Sequence, residues 1–311
     1  MDIFETRTAR PMLIENMTEP FDDPNYLYEL KLDGERCLAY LDPGTGTDLR
    51  NKRNMLMLPK VPELSDIHRS VNKRCILDGE LIVAKDGKPD FSEIQRRSLM
   101  TNPFRIKLAA SQLPASFVAY DVLYYEACEI TDAPLTDRKA KLEKVVVESD
   151  RLAVSRFIFG QGTALYQHAE KEDLEGVVAK KSDSLYYMGK HTKDWVKFKN
   201  LKDDDFVVCG YIEKERGVNS IILGQYADGV LQYKGHVTLG VSTAAMQELR
   251  NVEGAPPPFV AIPPNHEAAI WLKPELVCTV KYMMLTSTGS MRQPVFKGLR
   301  FDKHPRECIQ P

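Results

Sequence analysis

Lys31 lies in the stretch YELKLDGERC, residues 28–37, where an alternating, half-buried strand pattern runs straight into an Asp-Gly turn. A lysine is costly at the inner end of a strand, and its amine is a nucleophile only when neutral. At an ordinary pKa near 10.4, only about one molecule in a few thousand is neutral at pH 7. Desolvation and neighbouring cations shift the balance toward the neutral amine. Lys197 and Lys199, alternating with aromatics in WVKFK, project to one face of a strand and could supply those cations or clamp phosphates. Glu80 in LDGEL and Glu175 at the head of EGVVAKK are oxygen donors suited to Mg²⁺ or to a ribose. Tyr120 in AYDVLYY offers a ring on which a base can stack. Each feature has a plainer reading. An Asp-Gly pair is commonly just a turn, WVKFK can be a strand with one wet face, and Lys31 can pair with Asp33 or Glu29.

These residues need strands to carry them, and the pattern supplies strands. CILDGELIVAKDGKPDF reads as strand, turn and strand with its tip at Asp86-Gly87, and ASFVAYDVLYY as a further strand. DRKAKLEKVVVES and QGTALYQHAEKEDL read as helices, after which EGVVAKK returns to strand. This order predicts an α+β domain with largely antiparallel sheets over residues 1–200. The acidic segment NLKDDD reads as a hinge. Beyond it come short strands (DFVVCGYIE, SIILGQY, then an Asp228-Gly229 turn into VLQYKGHV), one helix (STAAMQELRNV), a proline-rich loop (GAPPPFVAIPPN) and a last strand, ELVCTVKYMM. About five strands and one helix predict a small barrel of the oligonucleotide-binding (OB) type over residues 201–311.

Bulk composition sets outer bounds. A chain of 311 residues has room for two domains with cores. No run is long and apolar enough for a membrane span, and MDIFETRTAR lacks a signal-peptide core, so a cytoplasmic protein is expected. Six scattered cysteines with no C-x-x-C pair argue against a zinc site and a disulfide framework, leaving structural thiols. A net charge of −2 gives no global pull on nucleic acid, so a polyanion would have to meet local patches. One candidate is Arg96, Arg97, Arg105 and Lys107. The other is Arg292, Lys297, Arg300, Lys303, His304 and Arg306, interleaved with Pro294, Val295, Phe296 and Leu299. Solvated helix or loop charge is the bland alternative for both.

KLDGER resembles the K-x-D-G-x-R motif of covalent nucleotidyltransferases: ATP-dependent DNA ligases, RNA ligases and mRNA capping enzymes. Further phrases follow in that family's order: LRN around Arg50, LDGELIV, FVAYDVLYYE, EGVVAKK and WVKFK. RQPVFKGLRFDK, with ARPMLIE and WLKPELV, is similar to the ligase domain of bacterial end-joining ligase D, and the likeness covers nearly the whole chain.

The resemblance implies a nucleotidyltransferase (adenylation) domain followed by an OB domain, with Lys31 attacking the α-phosphate of ATP. AMP then passes to the 5′-phosphate of a nick, and the 3′-OH seals it. Carried over by motif, Glu29 would lie beside the adenine and Tyr120 would stack on it, with Leu30 and Val177 also among the residues that bind the nucleotide. Arg36, Arg50 and Glu80 would contact the ribose and nearby phosphates. Glu80 and Glu175 would serve Mg²⁺ or Mn²⁺, Lys197 and Lys199 the α-phosphate, and Arg300, Asp302 and Lys303 the β- and γ-phosphates when the OB domain swings about the hinge. DNA would meet Arg96, Arg97, Arg105, Arg292 and Lys297.

The implied partner is nicked duplex DNA bound by a monomer near the bacterial nucleoid, with Ku and a separate end-processing polymerase or phosphoesterase as further partners. No separate DNA-binding domain and no attached polymerase or phosphoesterase module is expected, so the two domains would grip DNA themselves. Lys52 and Arg53 stand where relatives often have a glycine, and Thr279 where they usually carry an acid. An RNA ligase or capping-type enzyme, and a non-catalytic OB-type nucleic-acid-binding protein, are the competing readings. The absence of a cysteine quartet disfavours an NAD⁺-dependent ligase.

Overall fold

Period-two alternation in the first 200 residues resolves into two stacked sheets, and in the remainder into a third. The computed structural model describes residues 2–213, 219–262, 264–286 and 289–310, and Pro263 of the proline-rich loop lies outside them. The chain divides into two compact units, Met1–Asn200 and Leu201–Pro311.

The first unit opens with α1 (Ile3–Thr6), β1 (Leu13–Met17), β2 (Tyr26–Leu30), β3 (Glu35–Asp42) and β4 (Gly46–Asn51). It continues through β5 (Cys75–Lys85), β6 (Lys88–Pro89), α2 (Phe91–Leu99), α3 (Pro103–Gln112), β7 (Ala115–Tyr125) and β8 (Cys128–Glu129). It closes with α4 (Leu135–Val145), β9 (Leu152–Val154), β10 (Phe157–Phe159), α5 (Gly162–Lys171), β11 (Gly176–Lys181) and β12 (His191–Lys199). One sheet has the order β1-β12-β11-β2-β10, and the other runs β4-β3-β5-β7-β8 with β6 and β9 attached.

Most pairings are antiparallel, as expected; β1 with β12 and β7 with β9 are parallel. The hairpin tip at Asp86-Gly87 has both residues at positive φ (52° and 80°), the turn that matches strand twist. Two helices, α2 and α3, fill the stretch between the two expected strands. Their signals were short but present: Asp90 accepts the Glu93 N–H, and Asn102, followed by Pro103, accepts the Arg105 N–H.

The alternation on β5 decides what lies between the sheets. Leu77, Leu81 and Val83 face one hydrophobic core. Ile76 faces the other way, into a core shared with Leu27 and Trp195 of the opposing sheet. Asp78 and Glu80, two and four residues on, take the face of Ile76 and point into the inter-sheet layer. The pairing of β5 with β7 skips register between Asp78 and Gly79, leaving Tyr120 as an extra residue on β7. A bulge of this kind re-aims a side chain, which is why Tyr120 joins Asp78 and Glu80.

The second unit contains β13 (Lys202–Glu213), β14 (Asn219–Ala227), β15 (Val230–Val237), α6 (Thr243–Arg250), β16 (Ile270–Tyr282) and β17 (Val295–Arg300). Its sheet order is β15-β14-β13-β16-β17, and a parallel bridge between Leu239 and Val295 brings the two ends together. Five strands closing this way, with a helix between the third and fourth, make the OB barrel. ELVCTVKYMM is not the last strand: β17 follows it, paired along β16 from Val277 to Lys281. The charges of β17 and Gly298 interrupt its alternation, so the strand leaves no period-two pattern in the sequence.

Candidate functional site

Lys31 sits one residue beyond β2, where its backbone N–H still donates to the Gly176 carbonyl at 2.9 Å, so the β2–β11 pairing reaches it. Two motif glycines permit this placement. A Cβ on Gly34 would lie 2.3 Å from the Leu81 carbonyl oxygen, so only glycine lets the Asp33-Gly34 turn rest against β5. Gly176 has φ +137°, and a Cβ there would meet the Phe198 carbonyl oxygen at 1.9 Å.

The Lys31 ammonium meets Glu175 Oε1 at 2.8 Å, and Lys199 Nζ lies 3.7 Å from the same oxygen. The Glu29 alternative falls away, because the Glu29 carboxylate is occupied elsewhere. Lys197 shares the pleat face of Lys199. Burial depresses its ammonium pKa, and the charge of Lys31 adds to the effect. Glu80 completes the cluster. Burial pushes its carboxyl up to about 8, against the pull of Lys31 and Arg36 and with the push of Glu175 and Asp78. Lys31, Glu80, Glu175, Lys197 and Lys199, drawn from four separate stretches, thus form one electrostatically coupled group.

The walls behind this group are ion-paired. Arg36 forms a fork on Asp78 at 2.6 and 3.0 Å and donates to the Met12 carbonyl at 2.6 Å. Tyr186 adds its hydroxyl to Asp78 at 2.6 Å. The Arg36 guanidinium lies 5.5 Å from the Tyr120 ring centre, and Lys180 Nζ lies 4.4 Å from it. Glu29 is 2 % exposed, with one oxygen bound by Lys139 and the other by Lys180 at 2.7 Å. Burial and the charge of Lys139 lower the Lys180 pKa to about 8, with Glu29 pulling the other way. Motif matching missed Lys139, Lys180, Asp78 and Tyr186 as partners. Asp78 and Lys180 stood inside quoted motifs, and only the pleat showed which way they point.

Three expectations are corrected. Leu30 and Val177 are cross-strand partners whose side chains pack with Tyr28 and Phe198 on the far face of the sheet. They stand one residue out of phase with Glu29 and Val178, so the pleat turns them away. Arg97 is 1 % exposed, bidentate to Glu63 at 2.8 and 2.9 Å and donating to the Lys60 and Leu113 carbonyls, which removes it from any DNA-facing surface. Arg96 and Arg105 are exposed and border a basin of about 590 Å³ between α2 and α3 that none of the Lys31 group lines.

Arg50 is held by Asp48, which Arg7 also binds. In the second unit Lys297 is exposed and Arg292 partly buried. Arg300 grips Asp302 through two 2.8 Å bonds, and both Arg300 and Lys303 reach Asp205.

A divalent cation fits the chemistry of this site, since Glu80 and Glu175 are two carboxylates that repel one another in a desolvated space. They form a pair rather than a cage. Among the described residues no three His, Cys, Asp or Glu side chains converge, so water and substrate oxygens would complete the coordination. All six cysteines are free thiols, five of them buried.

Comparisons with known proteins agree with this geometry. The family model described as ATP dependent DNA ligase domain matches residues 9–199, and the one described as ATP dependent DNA ligase C terminal region matches residues 214–303. The multifunctional non-homologous end joining protein LigD of Pseudomonas aeruginosa is 31 % identical over 298 residues, covering 91 % of this chain but 34 % of that protein. The chain thus spans about a third of the length of that relative. The SPbeta prophage-derived DNA ligase-like protein LigB of Bacillus subtilis is 29 % identical over 93 % of this chain and 98 % of its own. Among solved structures, mycobacterial DNA ligase D complexed with ATP and MES superposes with a TM-score of 0.56 at 27 % identity, covering 97 % of this chain and 98 % of that one. Family-model matches over both units, and a charged lysine cluster where the family's motifs fall, lead to one conclusion: the chain belongs to the ATP-dependent DNA ligases.

Proposed function

We propose that this chain seals 5′-phosphate/3′-OH nicks in duplex DNA with ATP, through a Lys31–AMP intermediate, in bacterial end joining. The observation that carries the reading is the 2.8 Å contact of Lys31 with Glu175 inside a group that also holds Lys197, Lys199 and Glu80. In the first step Lys31 Nζ forms a bond to the α-phosphorus while the bond to the bridging oxygen breaks and pyrophosphate leaves. Glu175 Oε1, already accepting from Lys31, would take one ammonium proton to free the amine lone pair before attack, and the second N–H proton would pass to solvent or the departing pyrophosphate as the phosphoramidate forms.

Lys197 and Lys199 would balance charge on the α-phosphate oxygens, as preorganised cations in a desolvated site do. Glu80 and Glu175 would hold Mg²⁺, which supplies Lewis-acid neutralisation of phosphate charge. Tyr120, braced by Arg36 and Lys180, offers its ring to the base. The motif around Arg300 and Lys303 would meet the β- and γ-phosphates, and Arg96, Arg105, Arg292 and Lys297 the DNA backbone. Ku and separate end-processing enzymes would be partners in the cell.

The test is sealing of a 5′-phosphorylated nick by ATP and Mg²⁺, with DNA and RNA versions of each strand and Lys31→Ala alongside. Sealing of the DNA nick by the wild type alone is expected. Sealing by Lys31→Ala would sink the mechanism, and sealing confined to RNA would transfer the chain to RNA repair.

A further inference from the structure

Arg300, the last residue of β17, and Lys303, three residues on, are two cations that converge on one carboxylate oxygen. Lys303 Nζ lies 2.8 Å and Arg300 Nη1 3.4 Å from Asp205 Oδ2, while the Thr279 hydroxyl donates to Asp205 Oδ1 at 2.6 Å. The carboxylate is deeper than the cations it gathers: its side chain is 13 % exposed, against 25 % for Lys303 and 41 % for Arg300. Its backbone is fixed as well. Asp205 stands opposite Thr279 in the β13–β16 ladder, and its carbonyl accepts from Gln225 Nε2 at 3.2 Å. A guanidinium carries five N–H donors and an ammonium three, so the bonds to Asp205 and Asp302 leave donors on both cations for an anion. Without a carboxylate beneath them, two like charges this close would splay apart.

We infer that Asp205 is the positioning residue that sets Arg300 and Lys303 side by side to receive the terminal phosphates of the nucleotide. The inference rests on the proposed meeting of those two cations with the β- and γ-phosphates. Burial favours the protonated acid, but the bonds from Lys303 and Thr279 outweigh it and hold the Asp205 carboxyl below its usual range, so it carries its charge at neutral pH. The terminal phosphates leave as pyrophosphate in the first step. The role of Asp205 therefore belongs to adenylylation from ATP and not to sealing of a nick that already carries 5′-adenylate.

The experiment measures both reactions in the full chain, with the first followed against ATP concentration. For Asp205→Asn the KM for ATP should rise about tenfold, while sealing of the pre-adenylylated nick stays within about twofold of wild type. Asp205→Glu should recover part of the loss, and Thr279→Val, which removes the bond to Oδ1, should show a smaller rise in KM. An unchanged or lower KM in Asp205→Asn would overturn the inference, the lower value marking Asp205 as a competitor of phosphate. Equal losses in both reactions, with a fall in Tm, would reduce it to a structural residue. Arg300→Ala separates the premise from the inference: if it leaves the KM for ATP unchanged, the reading of these cations as triphosphate contacts is itself wrong.

Discussion

Glu80 and Glu29 are both carboxylates in the inter-sheet layer, and their surroundings give them opposite fates. Glu80 has a cationic neighbourhood but no direct ion pair among the described residues, and burial moves its carboxyl from an ordinary 4.5 to about 8. Its folded-state pKa lies above the unfolded one, so the folded protein holds the extra proton between those values. Stability should then fall as pH rises from about 4.5 to about 8, and level off beyond. In metal-free buffer, Glu80→Gln should flatten that fall and melt above wild type at pH 9, as read by calorimetry across pH. Titration calorimetry should also show Mg²⁺ binding that tightens with pH up to about 8, because the metal must displace the Glu80 proton. Glu29, by contrast, neutralises two buried lysines. Glu29→Gln should cost about 3–5 kcal/mol in denaturant unfolding, because it strands buried cations. Loss of the exposed Arg156–Glu148 pair should cost at most about 1 kcal/mol.

At the scale of elements, α2 shows how one dipeptide can hold two functions. Arg96 and Arg97 are adjacent, but a helix turns about 100° per residue, so one faces solvent and the other the core. Arg97→Ala should cost about 3–5 kcal/mol of stability by removing a buried guanidinium and leaving the largely enclosed Glu63 carboxylate without it. Arg105→Ala should leave stability within about 0.5 kcal/mol. In binding to nicked duplex it should lower the slope of log affinity against log salt by about one. Titrations from low to high salt separate the two outcomes. The strands carry the same lesson in period two: KLDGER and EGVVAKK named the right elements, yet whether Val177 or Val178 shares the face of Glu29 depended on a one-residue phase.

For the whole molecule, the hydrophobic clusters fall cleanly within one unit or the other, each with its own core. Two calorimetric transitions are therefore expected. Phe206→Ala, in the barrel core, should lower only one of them, and Phe117→Ala, on β7 in the core of the first unit, only the other, each by about 3–5 kcal/mol. A single transition shifted by both substitutions would show the units to be thermodynamically one body.

The sequence alone determined the chemistry and the order of parts. A lysine before Asp-Gly, a carboxylate within one strand and another at the head of a second, and paired lysines on a third are local patterns, and local propensity with period-two alternation makes them readable. The two-unit organisation was legible for the same reason, since the acidic segment NLKDDD and the change in strand spacing lie on the surface of the text. Only the tertiary structure decided the rest. The bulge that aims Tyr120, the burial of Arg97, the occupation of Glu29 by Lys139 and Lys180 and the convergence on Asp205 all join residues far apart in the chain. Such pairings are fixed by sheet register and packing, and one sequence position carries no record of the partner that burial will bring to it.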